Sequence, residues 1–304
     1  MKSLLKNSLQ TSLRSAFLIL RLIIPLYILA DVLLYFDLLK YISFLFEPVT
    51  SFLHLPAEAA ISIAGGMLIN LYAALAFAAP LGLSPYQWTI LAVFLGVCHS
   101  MIVETAIMKK IGIPYLYSIT LRLTMAFLTV LPVMLLPASL FSTKIQQPAN
   151  QAQVYDSFLQ MLLGALRKAS LLSFKVILLI GAIIFLMDWL KSTKFMQEYT
   201  KKVNSSFSIF VGQILGITYG AGILINEAKS GNLTRKEIFL VTTFLMISHA
   251  ILEDVLLFVI FGANYWIVVG ARLLMASLVS FIFLRLMKIF PSLKVTTDAL
   301  VKSY

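Results

Sequence analysis

Apolar residues continue almost unbroken through residues 16–39, 115–140, 170–190 and 265–290 of a 304-residue chain. Runs of ~20 or more are what an α-helix needs to cross the hydrocarbon core of a bilayer. They lack the apolar/polar alternation of a membrane β-barrel strand. In lipid the backbone must satisfy its own hydrogen bonds, so continuous runs of this kind read as helices. Composition agrees: the chain is 60% hydrophobic and 12% charged, with mean hydropathy +0.95, whereas soluble domains carry about 25% charged residues. The sequence therefore predicts an all-α integral membrane protein whose first partner is the lipid bilayer.

The formal charge of +11 raises the question of nucleic acid, but the lysines and arginines lie between apolar segments. There they fix orientation in the membrane rather than bind a polyanion. No nucleic-acid partner is expected. Residues 1–15 are basic, and the apolar run after them is long for a signal-peptide core. We expect a retained first span with the N-terminus cytoplasmic, in the plasma (inner) membrane. Pro25 predicts a kink in that span. Arg21 and Lys175 are expected to snorkel, and Trp88, Trp189 and Trp266 to form an aromatic belt.

One five-residue string occurs twice: Gly66-Met67-Leu68-Ile69-Asn70 returns as Gly222-Ile223-Leu224-Ile225-Asn226. Each copy lies in an apolar stretch broken by glycine, and each precedes a capping box, Ser84-Pro85-Tyr86-Gln87 and Leu233-Thr234-Arg235-Lys236-Glu237. From cap to histidine, Ser84 to His99 and Thr234 to His249 are both 15 residues, and from His99 to Arg122 and His249 to Arg272 are both 23. Glu104 then aligns with Asp254. The chain divides into a first repeat at residues 1–141, a polar linker at 142–154 and a second repeat at 155–304. Each repeat is expected to hold an amphipathic lead-in helix, about three spanning helices and one broken segment. The helices that start at the capping boxes are predicted to run to about Lys110 and Phe261.

Placing every basic cluster in the cytoplasm leaves 262–264 and 79–83 outside. Residues 56–83 and 205–231 must then enter and leave on the same side, as re-entrant hairpins with their tips near the glycines. The second half becomes inverted relative to the first, the plan of secondary transporters with sites near the midplane. The alternative makes both broken segments ordinary spans.

The hairpin tips expose backbone groups that must face protein or a cavity, and glycine permits the turn. Gly66, Asn70, Gly222 and Asn226 are therefore candidates for binding a solute, with helix capping as the plainer role for the asparagines. His99, His249 and Glu253 join them, because ionisable groups within spans face a bundle interior. His249 and Glu253 are four apart and should share a helix face and a hydrogen bond. His99 and Glu104, five apart, need a local break or other partners. A metal is not identified; His99, His249 and Glu253 are its candidate ligands, with Cys98 or Met101 as further donors. Glu104 and Arg122 reach nearly the same depth on two helices joined at Gly112, as do Asp254 and Arg272 on two joined at Ala263. Two buried ion pairs are predicted.

The doubled Gly-x-Leu-Ile-Asn string, each copy followed by a capped helix, resembles the nucleoside-recognition or Gate domain. That family includes spore maturation membrane proteins and the membrane part of ferrous-iron transporters. The resemblance implies paired re-entrant hairpins and transport of a small polar solute or ion. The expected function is a secondary transporter working by alternating access with its site between the hairpin tips. A non-transporting scaffold or partner subunit, and a divalent metal-ion permease, are the alternatives. No enzyme is expected, because no nucleophile elbow, phosphate loop or metalloprotease motif is present. No cofactor is expected beyond a coupling ion, H+ or Na+, and a homo-oligomer is compatible with the sequence without being indicated by it.

Overall fold

The structure, a computed structural model, describes residues 2–39, 41, 44, 46–141, 155–193, 209, 212–214, 216, 224–225 and 233–290. Among these there is no strand. Five helical segments are long and apolar enough to cross a membrane: Lys6–Tyr35, Pro85–Lys110, Tyr115–Met134, Phe158–Leu190 and Tyr265–Ile289.

Two long helices, α1 (Lys2–Tyr35) and α8 (Phe158–Ser192), lie side by side. Ser8 Oγ near the start of α1 donates to Asp188 Oδ2 near the end of α8 at 2.7 Å, and Phe36 packs on Phe158 at the other end. The pair is therefore antiparallel. Neither helix has the joint expected between an amphipathic lead-in and a span. Pro25 lies inside α1 without ending it.

After a short α2 (Glu47–Phe52), the broken segment of the first half forms α3 (Ala60–Leu68) and α4 (Leu71–Ala78). At 1.5 Å per residue, each is far shorter than the ~30 Å bilayer core. They fold back on each other. Ser62 Oγ donates to the Ala74 carbonyl at 2.8 Å. Close approach needs glycine at residue 66, where a Cβ would sit 2.8 Å from Leu95 Cδ1 and 3.0 Å from Ala74 Cβ. Asn70 caps α4, its Oδ1 accepting from the Ala73 amide at 3.1 Å.

Both capping boxes form. The helices they start are not continuous. The first is α5 (Pro85–Cys98) and α6 (Met101–Lys110), followed by α7 (Tyr115–Met134). The second is α9 (Arg235–Ile247) and α10 (Glu253–Val259), followed by α11 (Tyr265–Ile289). At the first break Ser100 is left-handed (φ 47°), and at the second Ala250 is left-handed (φ 46°). An L residue strains to hold that conformation, so the chain leaves the helical path there.

These two broken rods run in opposite directions. Near the start of α5, Trp88 stacks on Phe261 beyond the end of α10, with ring centroids 4.4 Å apart. There too the Asn264 amide donates to Thr89 Oγ1 at 2.9 Å. At the far end, Ile111 and Ile113 pack with Ile238 and Phe239 of α9. Trp88 is thus a buried core residue and not part of an aromatic belt, because the opposite half covers it. Trp189 and Trp266 are exposed.

Candidate functional site

The breaks matter because they release main-chain carbonyls inside the protein. An uninterrupted helix would use those carbonyls in its own ladder. Here they turn to arginine. Arg122 of α7 donates from Nε to the Val97 carbonyl at 2.9 Å and from Nη2 to the His99 carbonyl at 2.5 Å. Arg272 of α11 repeats the arrangement, from Nε to Ile247 at 3.4 Å and from Nη2 to His249 at 2.8 Å. Both arginines are fully buried. An isolated buried guanidinium costs several kcal/mol, and each hydrogen bond to a charged donor returns roughly 1.5–3 kcal/mol. Two carbonyls for each arginine, with a carboxylate at 2.8 Å for Arg122, are therefore of the size needed to hold them.

The carboxylates come from just past each break. Glu104 Oε2 lies 2.8 Å from Arg122 Nη2, and Asp254 Oδ2 lies 4.0 Å from Arg272 Nη2. Glu104 Oε1 faces the other way and meets both histidines, at 3.0 Å from His99 Nε2 and 3.4 Å from His249 Nε2. Asp254 Oδ2 is 3.7 Å and 3.9 Å from the same two nitrogens. The imidazole rings are 5.3 Å apart, one from each half of the chain.

The tautomers follow from the backbone. His99 Nδ1 is 2.9 Å from the Leu95 carbonyl, and His249 Nδ1 is 2.7 Å from the Leu245 carbonyl. A carbonyl only accepts, so each Nδ1 carries its proton. Each Nε2 is left pointing into the cluster. Five buried atoms there lack a well-directed hydrogen-bond partner: Glu104 Oε2, Arg122 Nη1, His249 Nε2, Asp254 Oδ2 and Arg272 Nη1.

The hydrogen bond expected between His249 and Glu253 is absent, because residues 248–252 are not helical and four residues no longer make one turn. Glu253 instead accepts from Tyr72 Oη at 3.4 Å, which ties α10 to the hairpin of the first half. As a candidate metal ligand its place is taken by Glu104, which groups with His99 and His249. Cys98 turns away from the cluster, its thiol donating to the Phe94 carbonyl at 3.2 Å.

Gly222 and Asn226 lie outside the described residues. The contacts that define Gly66 recur at Gly212. The Gly66 carbonyl accepts from the Ser100 amide at 2.9 Å, and the Gly212 carbonyl from the Ala250 amide at 3.2 Å. A Cβ on Gly66 would strike Leu95, and one on Gly212 would strike Leu245. Among the described residues, the structural counterpart of Gly66 is thus Gly212. A register setting Ser62-Ile63 over Ser208-Ile209 carried this signal. Gln213 donates to the Ser248 carbonyl and accepts from Ser248 Oγ, holding the second break where Ser100 holds the first. Gly96 was not anticipated either. Its missing side chain makes room for the Arg272 guanidinium, whose Cζ would lie 3.2 Å from a Cβ there. A cavity of ≈ 170 Å³ lined by Tyr27, Lys168, Lys175 and Phe261, among others, shares no residue with the cluster.

The chain is an all-helical membrane protein with several spanning helices, built around a buried cluster of histidines, carboxylates and arginines. It is similar to the uncharacterized membrane protein YvoD of Bacillus subtilis (strain 168), being 29% identical over 292 residues that cover 92% of this chain and 94% of that protein. No protein-family model and no solved structure matches it.

Proposed function

We propose that the chain is a secondary transporter of a small polar solute or ion, working by alternating access, with its site where the two broken rods face each other. The observation that carries this reading is the shared cluster. His99 and Glu104 come from one half, His249 and Asp254 from the other, and several of their polar atoms are buried without a well-directed partner. Ionisable groups at membrane depth mark pathways for solutes and protons.

The antiparallel course of α5–α6 and α9–α10 supports two inverted-topology repeats, and the short α3 and α4 suit a re-entrant hairpin. Lys109, Lys110, Arg235 and Lys236 belong to the same end of the bundle, which we assign to the cytoplasm with the N-terminus. The Gate-domain resemblance belongs to the same reading, as does placement in the plasma membrane. A non-transporting scaffold would account for the near-closure of the cluster, where His99, Glu104 and Asp254 are only 6–7% exposed. It gives no reason for the buried nitrogens without a hydrogen-bond partner, Arg122 Nη1, Arg272 Nη1 and His249 Nε2, which a purely structural core avoids.

Uptake by the purified chain in lipid vesicles tests the proposal, using a panel of divalent metals, nucleosides, amino acids and organic anions with and without H+ or Na+ gradients. One solute class should accumulate, and H249Q should abolish it. Absence of uptake for every class under every gradient overturns the reading.

A further inference from the structure

We infer that His99 Nε2, His249 Nε2 and Glu104 Oε1 form a binding site for one divalent transition-metal ion of the Zn2+ class, which clamps the two halves of the chain together. The three donor atoms all lie within 4.8 Å of one another and are buried. Zinc bonds to nitrogen and oxygen of about 2.0–2.2 Å put the edges of a tetrahedral ligand set at roughly 3.3–3.5 Å. The two donor separations through Glu104 Oε1 are 3.0 Å and 3.4 Å. Both nitrogen-to-oxygen separations therefore already stand near a tetrahedral edge, and the two Nε2 atoms lie within 4.8 Å of each other.

Their chemistry fits as well as their spacing. Each Nδ1 hydrogen bonds to a carbonyl of its own helix, at Leu95 and Leu245. This fixes the ring and leaves Nε2 as the donor to metal, the arrangement found around most metal-bound histidines. His249 Nε2 is buried with no hydrogen-bond partner. Glu104 divides its labour: Oε2 serves Arg122, so Oε1 is free to ligate. Asp254 Oδ2, at 3.7 Å and 3.9 Å from the two imidazole nitrogens, faces the fourth position and can receive a metal-bound water. Paired imidazoles with one carboxylate favour Zn2+, Co2+ and Cu2+ over Mg2+ and Ca2+, which prefer all-oxygen sets.

The ligands come from both sides of the interface, so binding stabilises the arrangement in which the halves are closed on each other. The inference does not depend on the transport proposal, because the site is read from donor geometry alone.

The test uses the full chain in detergent, stripped with a chelator. Titration with Co2+ should give one saturable site with the visible absorption of four-coordinate cobalt, and Zn2+ should displace it and raise the thermal midpoint. H99Q, H249Q and E104Q should each weaken binding at least tenfold. H54Q, which alters the third histidine of the chain outside the cluster, should leave it unchanged. X-ray absorption of the wild-type Zn2+ complex needs no variant and should show nitrogen and oxygen donors at about 2.0–2.1 Å, two of them imidazole. No saturable binding, a sulfur donor, fewer than two imidazoles, or loss of the site in H54Q overturns the inference. Uptake of another solute class without any metal binding sinks this site and leaves the transport reading standing. Metal binding without any uptake does the reverse.

Discussion

The breaks at Ser100 and Ala250 share one design and differ in one methylene. Each has a left-handed residue, a histidine before it, a carboxylate four residues after it, and an arginine from the next long helix seated on two freed carbonyls. Glu104 is long enough to touch Arg122 with one oxygen and both histidines with the other. Asp254 is one methylene shorter and reaches none of its neighbours closer than 3.7 Å. The same frame thus makes a tight half and a loose half. The tight half supplies the shared carboxylate, and the loose half leaves Arg272 leaning on Gly96 of the opposite rod. A Glu/Asp difference is enough to make two similar breaks contribute unequally to one cluster.

The largest expected effect comes from the arginines. R122M leaves Glu104 buried beside two vacated carbonyls, and loss of one partner of a buried pair costs about 3–5 kcal/mol. R272M removes looser contacts and should cost less. The double variant R122M/E104Q removes both charges and should unfold at a higher temperature than R122M. Thermal unfolding in detergent orders the three. A double variant no better than R122M breaks the pairing argument, and R272M worse than R122M breaks the tight-against-loose comparison.

Gly66 and Gly212 test the same comparison at smaller scale. G66A would meet Leu95 Cδ1 at 2.8 Å and Ala74 Cβ at 3.0 Å, whereas the three atoms nearest a Cβ at G212A all belong to the Leu245 side chain, from 2.6 Å. A leucine end can rotate away, while the Ala74 methyl is fixed to the backbone of α4. Overpacking of this kind costs about 1–3 kcal/mol, with G66A at the upper end and G212A at the lower. Equal losses of thermal midpoint would show that the surroundings of Gly66 and Gly212 give alike.

Exchange of the carboxylates sharpens the point chemically. E104D should withdraw the shared oxygen from the histidines and weaken Co2+ binding by at least about tenfold, or 1.4 kcal/mol. D254E should bring a second carboxylate closer and leave affinity unchanged or raised. E253Q, at the residue tied to Tyr72, should change it by less than a factor of about two, within the ±0.5 kcal/mol of a substitution away from the site. Should E253Q be the most damaging of the three, the ligand set given by the geometry is wrong.

Much of this frame was legible in the sequence and some of it was not, for definite reasons. The spans, both capping boxes and the depth match of Glu104 with Arg122 follow from apolar length, local cap chemistry and helix rise, all of which are local or nearly so. The breaks did not follow. Cys98-His99-Ser100 and Ser248-His249-Ala250 contain no glycine or proline, and the left-handed residue is imposed by tertiary bonds to Gly66 and Gly212. That missed break is why His249 and Glu253 were paired by helical spacing and Glu104 was left off the metal candidates. The kinship of Gly66 with Gly212 was hard to read for a related reason. The register that carries it is short, and the contact of each glycine with a leucine shows only across helices.

The smallest effect concerns the two left-handed residues themselves. An L residue in that conformation costs about 1–2 kcal/mol, and glycine does not, though its greater freedom when unfolded gives back roughly 0.4–1 kcal/mol. S100G and A250G should each therefore be neutral or stabilising by up to about 1.6 kcal/mol. They should differ slightly, because Ser100 Oγ makes a long contact of 3.5 Å to the Ile69 carbonyl that glycine would lose, and Ala250 has no side-chain hydrogen bond to lose. A250G is the variant expected to gain more in thermal midpoint. If both lose stability by more than about 1 kcal/mol, the breaks are held by the side chains at these positions. The account in which the bonds to the Gly66 and Gly212 carbonyls impose the turn on any residue would then fail.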